Sequence, residues 1–101
     1  MDKLINIYNG VLSDTEETNI YQAPSESTVI IKEIILCNIN SESVDVKFSF
    51  SDTYVLHDEP ISPNETYRIE FTSILEEENF IKGSAGSADS IHCYISGIEI
   101  T

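Results

Sequence analysis

TVIIKEIILCNIN, residues 28–40, is the longest apolar run in the chain and its richest in isoleucine. Periodicity alone allows either a buried helix or a buried strand over this segment. Most of its apolar residues are β-branched, and such side chains lose freedom in a helix but fit a pleated surface. Turn-forming residues flank it at 24–27 and 38–43. We therefore predict that it is the central strand of an all-β domain.

Strict alternation divides the apolar residues of this strand between two faces. One face holds Val29, Ile31, Ile35 and Cys37, and the other holds Ile30, Ile34 and Leu36. Both faces are then apolar, as expected for a strand in the middle of a sheet. Lys32 and Glu33 interrupt the run, and a β-bulge is a candidate structure there.

The rest of the chain contains shorter segments with the pattern of strands. Apolar and polar residues alternate at Val44–Phe50 and at residues 67–71 and 91–95, which predicts strands with one buried face. We expect Val44–Phe50 to form a hairpin with the central strand through the turn at residues 41–43. Asn9 and Gly10 predict a second hairpin turn, with Val11 and Leu12 beginning its return strand.

Several breaks are expected between these strands. Residues 57–60 (HDEP) should end the strand that begins at Tyr54, and residues 76–79 (EEEN) are a candidate single helical turn. Residues 83–88 should form a small-residue loop, and Gly97 is a candidate bulge site. Seven to nine short strands at spacings of about 8–12 residues predict an antiparallel β-sandwich or a jelly-roll-like barrel. We interpret the whole chain, residues 1–101, as a single domain.

The charge of the chain restricts its partners. Eighteen acidic residues against five basic ones give a formal net charge of −13. Such a charge repels the phosphate backbone and anionic lipids, so we expect no nucleic-acid and no membrane partner. Its simplest role is to keep a β-rich protein soluble. The chain has neither a signal-peptide pattern nor the roughly 20-residue apolar run of a membrane helix, so we expect synthesis in the cytoplasm.

The sequence offers little that predicts chemistry. His57, Asp58 and Glu59 form the one dense polar cluster with a histidine, and an exposed strand end explains it more simply than a metal site. Cys37 and Cys93 lie 56 positions apart within apolar segments, which indicates two free thiols. Nucleophile-elbow and phosphate-loop motifs are missing. We therefore expect no catalytic residue, no cofactor, no metal ion and no enzyme activity.

A series of turn and strand-end motifs supplies a resemblance. The series begins with IYQAP at residues 20–24 and the strand ending in Cys37 and Asn38. It continues with LHDEPI at 56–61, PNET at 63–66, Leu75 with its acidic turn, and SGIEI at 96–100. This order resembles that of small proteins encoded among the structural genes of tailed bacteriophages. The resemblance implies a β-sandwich located in the virion, at the head, neck or tail, with no catalytic residues.

We accordingly expect a structural accessory protein of a bacteriophage virion that assembles with itself and with other virion proteins. The alternative is a carbohydrate- or receptor-binding module at a tail tip, for which five tyrosines supply aromatic surface. Self-association as a trimer or larger ring is expected, because the chain has more apolar strand faces than one thin sandwich needs. Tyr54, Val55 and Leu56 are the candidate interface residues.

Overall fold

A computed structural model describes residues 2–101, and these residues form eight β-strands and no helix. The strands are β1 (Asp2–Val11), β2 (Thr18–Gln22), β3 (Thr28–Asn38), β4 (Val44–Phe50), β5 (Thr53–Ile61), β6 (Thr66–Leu75), β7 (Phe80–Ala85) and β8 (Ile91–Ile100). The prediction of an all-β fold with seven to nine short strands is confirmed.

The strands form two antiparallel sheets of four. Sheet A has the order β1-β8-β3-β6, and sheet B has the order β2-β7-β4-β5. Successive strands alternate between the sheets except at β4–β5, which is the topology of a jelly roll. The predicted hairpin between β3 and β4 is therefore wrong. Strand β3 lies in sheet A and strand β4 in sheet B, and the apolar faces of the two strands meet across the core.

The isoleucine-rich segment forms β3, an inner strand of sheet A flanked by β6 and β8. The candidate bulge is present, because the pairing register shifts between Ile31 and Glu33 against both neighbours. One extra residue exchanges the two faces of a strand beyond it. Ile34 and Leu36 consequently join Val29 and Ile31 in the core. The prediction that Ile35 and Cys37 share a face with Val29 and Ile31 is wrong, since Ile35 and Cys37 face outward with Ile30.

The core lies between the two sheets. Sheet A supplies mainly β3 and β8 side chains, and sheet B supplies Val46, Phe48 and Ile81. Phe48 is the largest side chain that is fully buried, and burial of a phenylalanine of this kind contributes roughly 1.5–3 kcal/mol.

Two stretches with turn-like sequences lie inside strands. Asn9 and Gly10 pair with Tyr94 and Cys93 as part of β1, so the predicted hairpin turn is wrong. The small-residue segment also differs from the prediction, because β7 continues through Gly83 to Ala85. In both cases a neighbouring strand supplies backbone partners that outweigh the local preference for a turn.

Strand β5 continues through residues 57–60, where the sequence predicted its end. It lies at the edge of sheet B, and an edge strand tolerates Pro60 because only one side of its backbone is paired. Its register against β4 shifts twice, between Val46 and Phe48 and between Phe48 and Ser49. Asp58 adopts a φ of 53° at the first irregularity, a conformation that Asp accepts better than most residues.

The acidic segment 76–79 forms a β-turn and not the candidate helical turn. The Asn79 amide donates to the Glu76 carbonyl at 3.1 Å, and Glu78 has a φ of 65°. The turn is fixed to the segment before β3, since the Glu78 amide donates to the Ala23 carbonyl at 2.9 Å.

Asn38, at the end of β3, has a fully buried side chain. Its amide nitrogen donates to the Ile61 carbonyl at 2.9 Å and to the Glu42 carbonyl at 3.0 Å. Its side-chain oxygen accepts a hydrogen bond from the Asn40 amide at 2.8 Å. One side chain therefore joins the end of β3, the β3–β4 connection and the end of β5.

Candidate interaction surface

The outer face of sheet A carries aliphatic side chains from all four of its strands. Backbone pairing places Leu4 opposite Ile98, Ile98 opposite Ile30, and Ile30 opposite Ile74. We name these four residues the aliphatic row. Three strand spacings of about 4.8 Å make the row about 14 Å long.

The ends of the aliphatic row are the two most exposed large hydrophobic side chains in the described part of the chain. Leu4 is 84% exposed and Ile74 is 63% exposed, while Ile30 and Ile98 are half-buried between them. An antiparallel sheet with one wet face normally places polar residues on that face. Contiguous exposed apolar side chains are typical of interaction sites.

The outer face of sheet A is nearly neutral, although the chain is strongly acidic. Strand alternation places the carboxylates of Asp2, Glu33 and Glu70 on this face together with Lys32 and Arg68. Arg68 pairs with Glu33 at 2.5 Å and with Glu70 at 3.3 Å, and the Glu33 contact raises the pKa of its guanidinium. Three carboxylates against two cations leave one net negative charge, compared with −13 for the chain.

A shallow depression of about 430 Å³, which we name the Gly97 depression, lies on this face beside Leu4 and Ile98. The backbone of Gly97 forms part of its lining, together with Asn6 and Ser96. A Cβ atom at Gly97 would lie 2.2 Å from the Ile30 carbonyl oxygen, so the close approach of the strands here requires glycine. Gly97 itself is not bulged. Two bulges lie beside it, one in β1 and one in β3, where the register of each strand against β8 shifts.

The outer face of sheet B is polar and largely covered by its own side chains. The Tyr54 hydroxyl donates a hydrogen bond to the Glu17 carboxylate, which raises the pKa of Tyr54. Tyr54 lies in β5, and Glu17 precedes β2 at the opposite edge of the sheet, so this bond crosses the outer face. Ser49 and Ser84 are each only 4% exposed. Sheet B therefore offers no apolar row comparable to that of sheet A among the described residues.

The three predicted interface residues do not lie on one surface. Tyr54 is 47% exposed and Val55 is 42% exposed, whereas Leu56 is 7% exposed and packs in the core. Val55 reaches the surface because the register of β5 shifts at this point. Leu56 is thus unavailable to a partner, and the contact of Tyr54 and Val55 with a partner stays a prediction.

A second cavity, of about 270 Å³, opens between the edges formed by β1 and β2. The Tyr8 hydroxyl donates to the Val11 carbonyl at 3.1 Å, and burial raises the pKa of Tyr8. Thr18 donates to the Asp14 carboxylate at 3.1 Å. The hydroxyls of Tyr8 and Thr18 are therefore engaged in hydrogen bonds within the chain.

The groups that could support chemistry are dispersed. His57 lies 3.7 Å from Asp58 at an exposed position of β5. Within residues 2–101, no three His, Cys, Asp or Glu side chains converge as metal ligands would. Burial raises the pKa of Cys93 to about 12, so this thiol is a poor nucleophile. Cys37 and Cys93 lie on opposite faces of sheet A.

The described residues also contain no helix long and apolar enough to cross a membrane. Fold and surface together define an acidic, eight-stranded antiparallel jelly-roll domain with an exposed aliphatic row on one sheet.

No known family model and no curated protein sequence matches this chain. Among solved structures, a family 35 carbohydrate-binding module from Clostridium thermocellum is 11% identical, with a TM-score of 0.42, and the match covers 99% of this chain and 92% of the module. Latent PorU from Porphyromonas gingivalis is 7% identical, with a TM-score of 0.46, over 96% of this chain and 12% of PorU. A pentameric capsid protein from metagenomic phage sequences is 9% identical, with a TM-score of 0.39, over 95% of this chain and 59% of that protein. Identities and TM-scores this low carry no argument about the function of this chain.

Proposed function

We propose that this protein is a structural accessory protein of a bacteriophage virion, a head decoration, neck or tail component, that acts by self-assembly and by contacts with other virion proteins. The observation that carries the assembly part of the proposal is the aliphatic row. Its four side chains lie on a nearly neutral face of an otherwise acidic protein. The virion location is supported by the resemblance of the turn and strand-end motifs between residues 20 and 100 to those of small phage structural proteins.

The chemistry of the described residues supports an assembly role over catalysis. His57 and Asp58 are both exposed, and the Asp58 carboxylate lies 3.3 Å from the Lys47 ammonium as well as 3.7 Å from His57, which is a surface ion pair and not a group enclosed around a substrate. The Cys93 thiol is held in its protonated form by burial. The surface instead presents aliphatic side chains whose removal from water stabilises a protein contact by about 25 cal/mol for each Å² buried.

The experiment that tests the proposal is co-sedimentation with virions. Fluorescently labelled protein is added to purified virions of the phage whose genome encodes it, and to the host cells in parallel. The proposal expects saturable binding to virions and no binding to cells. Wild-type virions should also contain the protein in multiple copies when their proteins are quantified by mass spectrometry. Absence from the virion would contradict the proposal.

A carbohydrate- or receptor-binding module is the second candidate, and the Gly97 depression favours it. Tyr94 is 41% exposed at the rim of the depression, beside the polar side chains of Asn6 and Ser96. An aromatic ring next to amide and hydroxyl groups can stack on a ligand and fix its orientation by hydrogen bonds. Binding to host cells that is lost in a Tyr94→Ala variant would support this candidate. Virion binding without cell binding would count against it.

A further inference from the structure

We infer that the outer face of sheet A packs against the same face of a second copy of this chain. The resulting pair is two-fold symmetric, and its interface centres on the aliphatic row and the Gly97 depression. The inference rests on the proposed function and assigns self-assembly to one surface.

Charge selects this face for contact between identical chains. Two copies of a chain with a net charge of −13 repel each other, most strongly where their carboxylates approach. On this face the carboxylates of Glu33 and Glu70 are held in ion pairs with Arg68. Most of the acidic residues lie in the connections and on sheet B, so a strongly basic partner would find its complementary charge there. The face with the aliphatic row is therefore better suited to another nearly neutral face.

The area of the face suits a two-chain contact. Four strands spaced about 4.8 Å apart and about ten residues long give a face of roughly 19 by 34 Å. Contact over most of this face would bury about 600 Å² per chain and about 1,200 Å² in total, the lower end of the range for stable interfaces. Sheets pack face to face at about 10 Å in the same way within a β-sandwich.

The relief of the face allows it to pack on itself. Leu4 and Ile98 project beside the depression that Gly97 helps to line. In a two-fold arrangement, Leu4 and Ile98 of each chain enter the depression of the other, so that both ridges are buried by one symmetry operation.

This geometry changes the expected assembly number. A face that packs on itself closes at two chains, because the same surface is used on both sides. The pair, and not a trimer or larger ring, is then the unit formed by this face. A ring would need a second contact, for which the exposed Tyr54 and Val55 are available.

The test compares the masses of single variants by gel filtration with light scattering at micromolar concentration. Leu4→Lys and Ile74→Lys alter opposite ends of the aliphatic row. Ile39→Lys is the matched control, because Ile39 is a 54% exposed isoleucine in the β3–β4 connection. Val55→Lys tests the rival surface on β5. All four side chains are at least 42% exposed, and circular dichroism of each variant verifies that it folds.

The expected wild-type mass is twice the chain mass of 11.3 kDa. Leu4→Lys and Ile74→Lys should each raise the dissociation constant roughly 30-fold or more, because each would place an ammonium group among the apolar side chains of the contact, and Ile39→Lys should leave the dissociation constant unchanged.

Other results overturn the inference in distinguishable ways. A wild-type pair that only Val55→Lys dissociates moves the interface to β5 and leaves the proposed function standing. A wild-type mass of one chain, with binding to virions retained, overturns the inference alone. A single-chain mass without virion binding overturns both the inference and the proposed function.

Discussion

Replacement of Asn38 by alanine should lower the free energy of unfolding by about 3–4 kcal/mol. The buried side chain makes hydrogen bonds to Ile61 at 2.9 Å, to Glu42 at 3.0 Å and from Asn40 at 2.8 Å. Each such bond contributes a net of about 1 kcal/mol, and a buried carbonyl left without a donor costs about 1–3 kcal/mol. Three lost bonds account for about 3 kcal/mol, and the weakened pairing of the Ile61 carbonyl, which keeps only the longer bond from the Ser43 hydroxyl at 3.3 Å, accounts for the rest.

A loss of this size is a large part of the stability of a small domain, which is typically about 5–15 kcal/mol. Urea unfolding followed by circular dichroism should show a lower midpoint with an unchanged slope. The melting temperature should fall by roughly 12–30 °C. Asn9→Ala is the matched control, since Asn9 is an exposed asparagine of β1, and its effect should stay within about 0.5 kcal/mol.

An Asn38→Asp variant separates hydrogen bonding from the loss of volume. A carboxylate is nearly the same size as the amide, but at neutral pH it cannot donate to the Ile61 and Glu42 carbonyls. It should therefore destabilise the protein at least as much as alanine at pH 7, and part of the loss should be recovered in acid, where the protonated group donates one bond. If Asn38→Ala unfolds at the same urea concentration as Asn9→Ala, the buried amide does not hold these connections together.

The remaining predictions concern the core, the strand packing, alkaline pH and salt. Phe48→Ala should destabilise the protein by about 3–5 kcal/mol in the same urea assay, because it empties the centre of the core. Gly97→Ala should lower the free energy of unfolding by roughly 3 kcal/mol, because its Cβ would lie 2.2 Å from the Ile30 carbonyl oxygen. Gly86→Ala, at an exposed glycine, is the control, and a smaller loss of stability in Gly97→Ala than in this control would refute the steric argument. Burial raises the pKa of Cys93 from 9.0 to about 12, so the folded protein keeps a proton that the unfolded chain loses, and stability should fall as pH rises through this interval. Cys93 should contribute a slope of up to about 1.4 kcal/mol per pH unit, and Cys93→Val should lose that contribution while keeping the part due to tyrosines such as Tyr8, whose pKa burial also raises. The wild-type pair should persist in low salt, because the faces in contact are nearly neutral, and light scattering that shows single chains below physiological salt would contradict this.

The sequence predicts most of the individual strands, because the signal for a half-buried strand is local. Val44–Phe50 alternates strictly, and β4 has those same bounds. The alternation at residues 67–71 and 91–95 likewise lies within β6 and β8. In each case the apolar positions face the core. Period-two alternation needs only one buried face, and a sandwich provides that face to every strand.

The pairing of the strands is not local, and the sequence predicted it poorly. The short turn between β3 and β4 fits a hairpin as well as it fits a crossing from one sheet to the other, since both arrangements bury the same side chains. Asn9 and Gly10 carry a hairpin signal, but β8 supplies a continuous partner strand along β1. The β8 partners of Asn9 and Gly10 are more than 80 positions away, and the β8 partners of β3 are more than 50 positions away, beyond the reach of a local pattern.

The aliphatic row escapes sequence analysis for a related reason. The row is made of residues from four separate segments, Leu4, Ile30, Ile74 and Ile98. Within its own segment, each is one apolar residue among several, and alternation alone does not show that it belongs to an exposed row. The row depends on register, and the register in turn depends on the bulges beside Gly97 in β1 and β3. Without the bulge in β3, Ile30 would share a face with Ile34 and Leu36, and that face is the core. The same extra residue therefore completes the core and leaves Ile30 on the outer face of the sheet. The surface proposed for self-association is thus a consequence of how the core is filled, and a variant that removes the bulge should disturb both together.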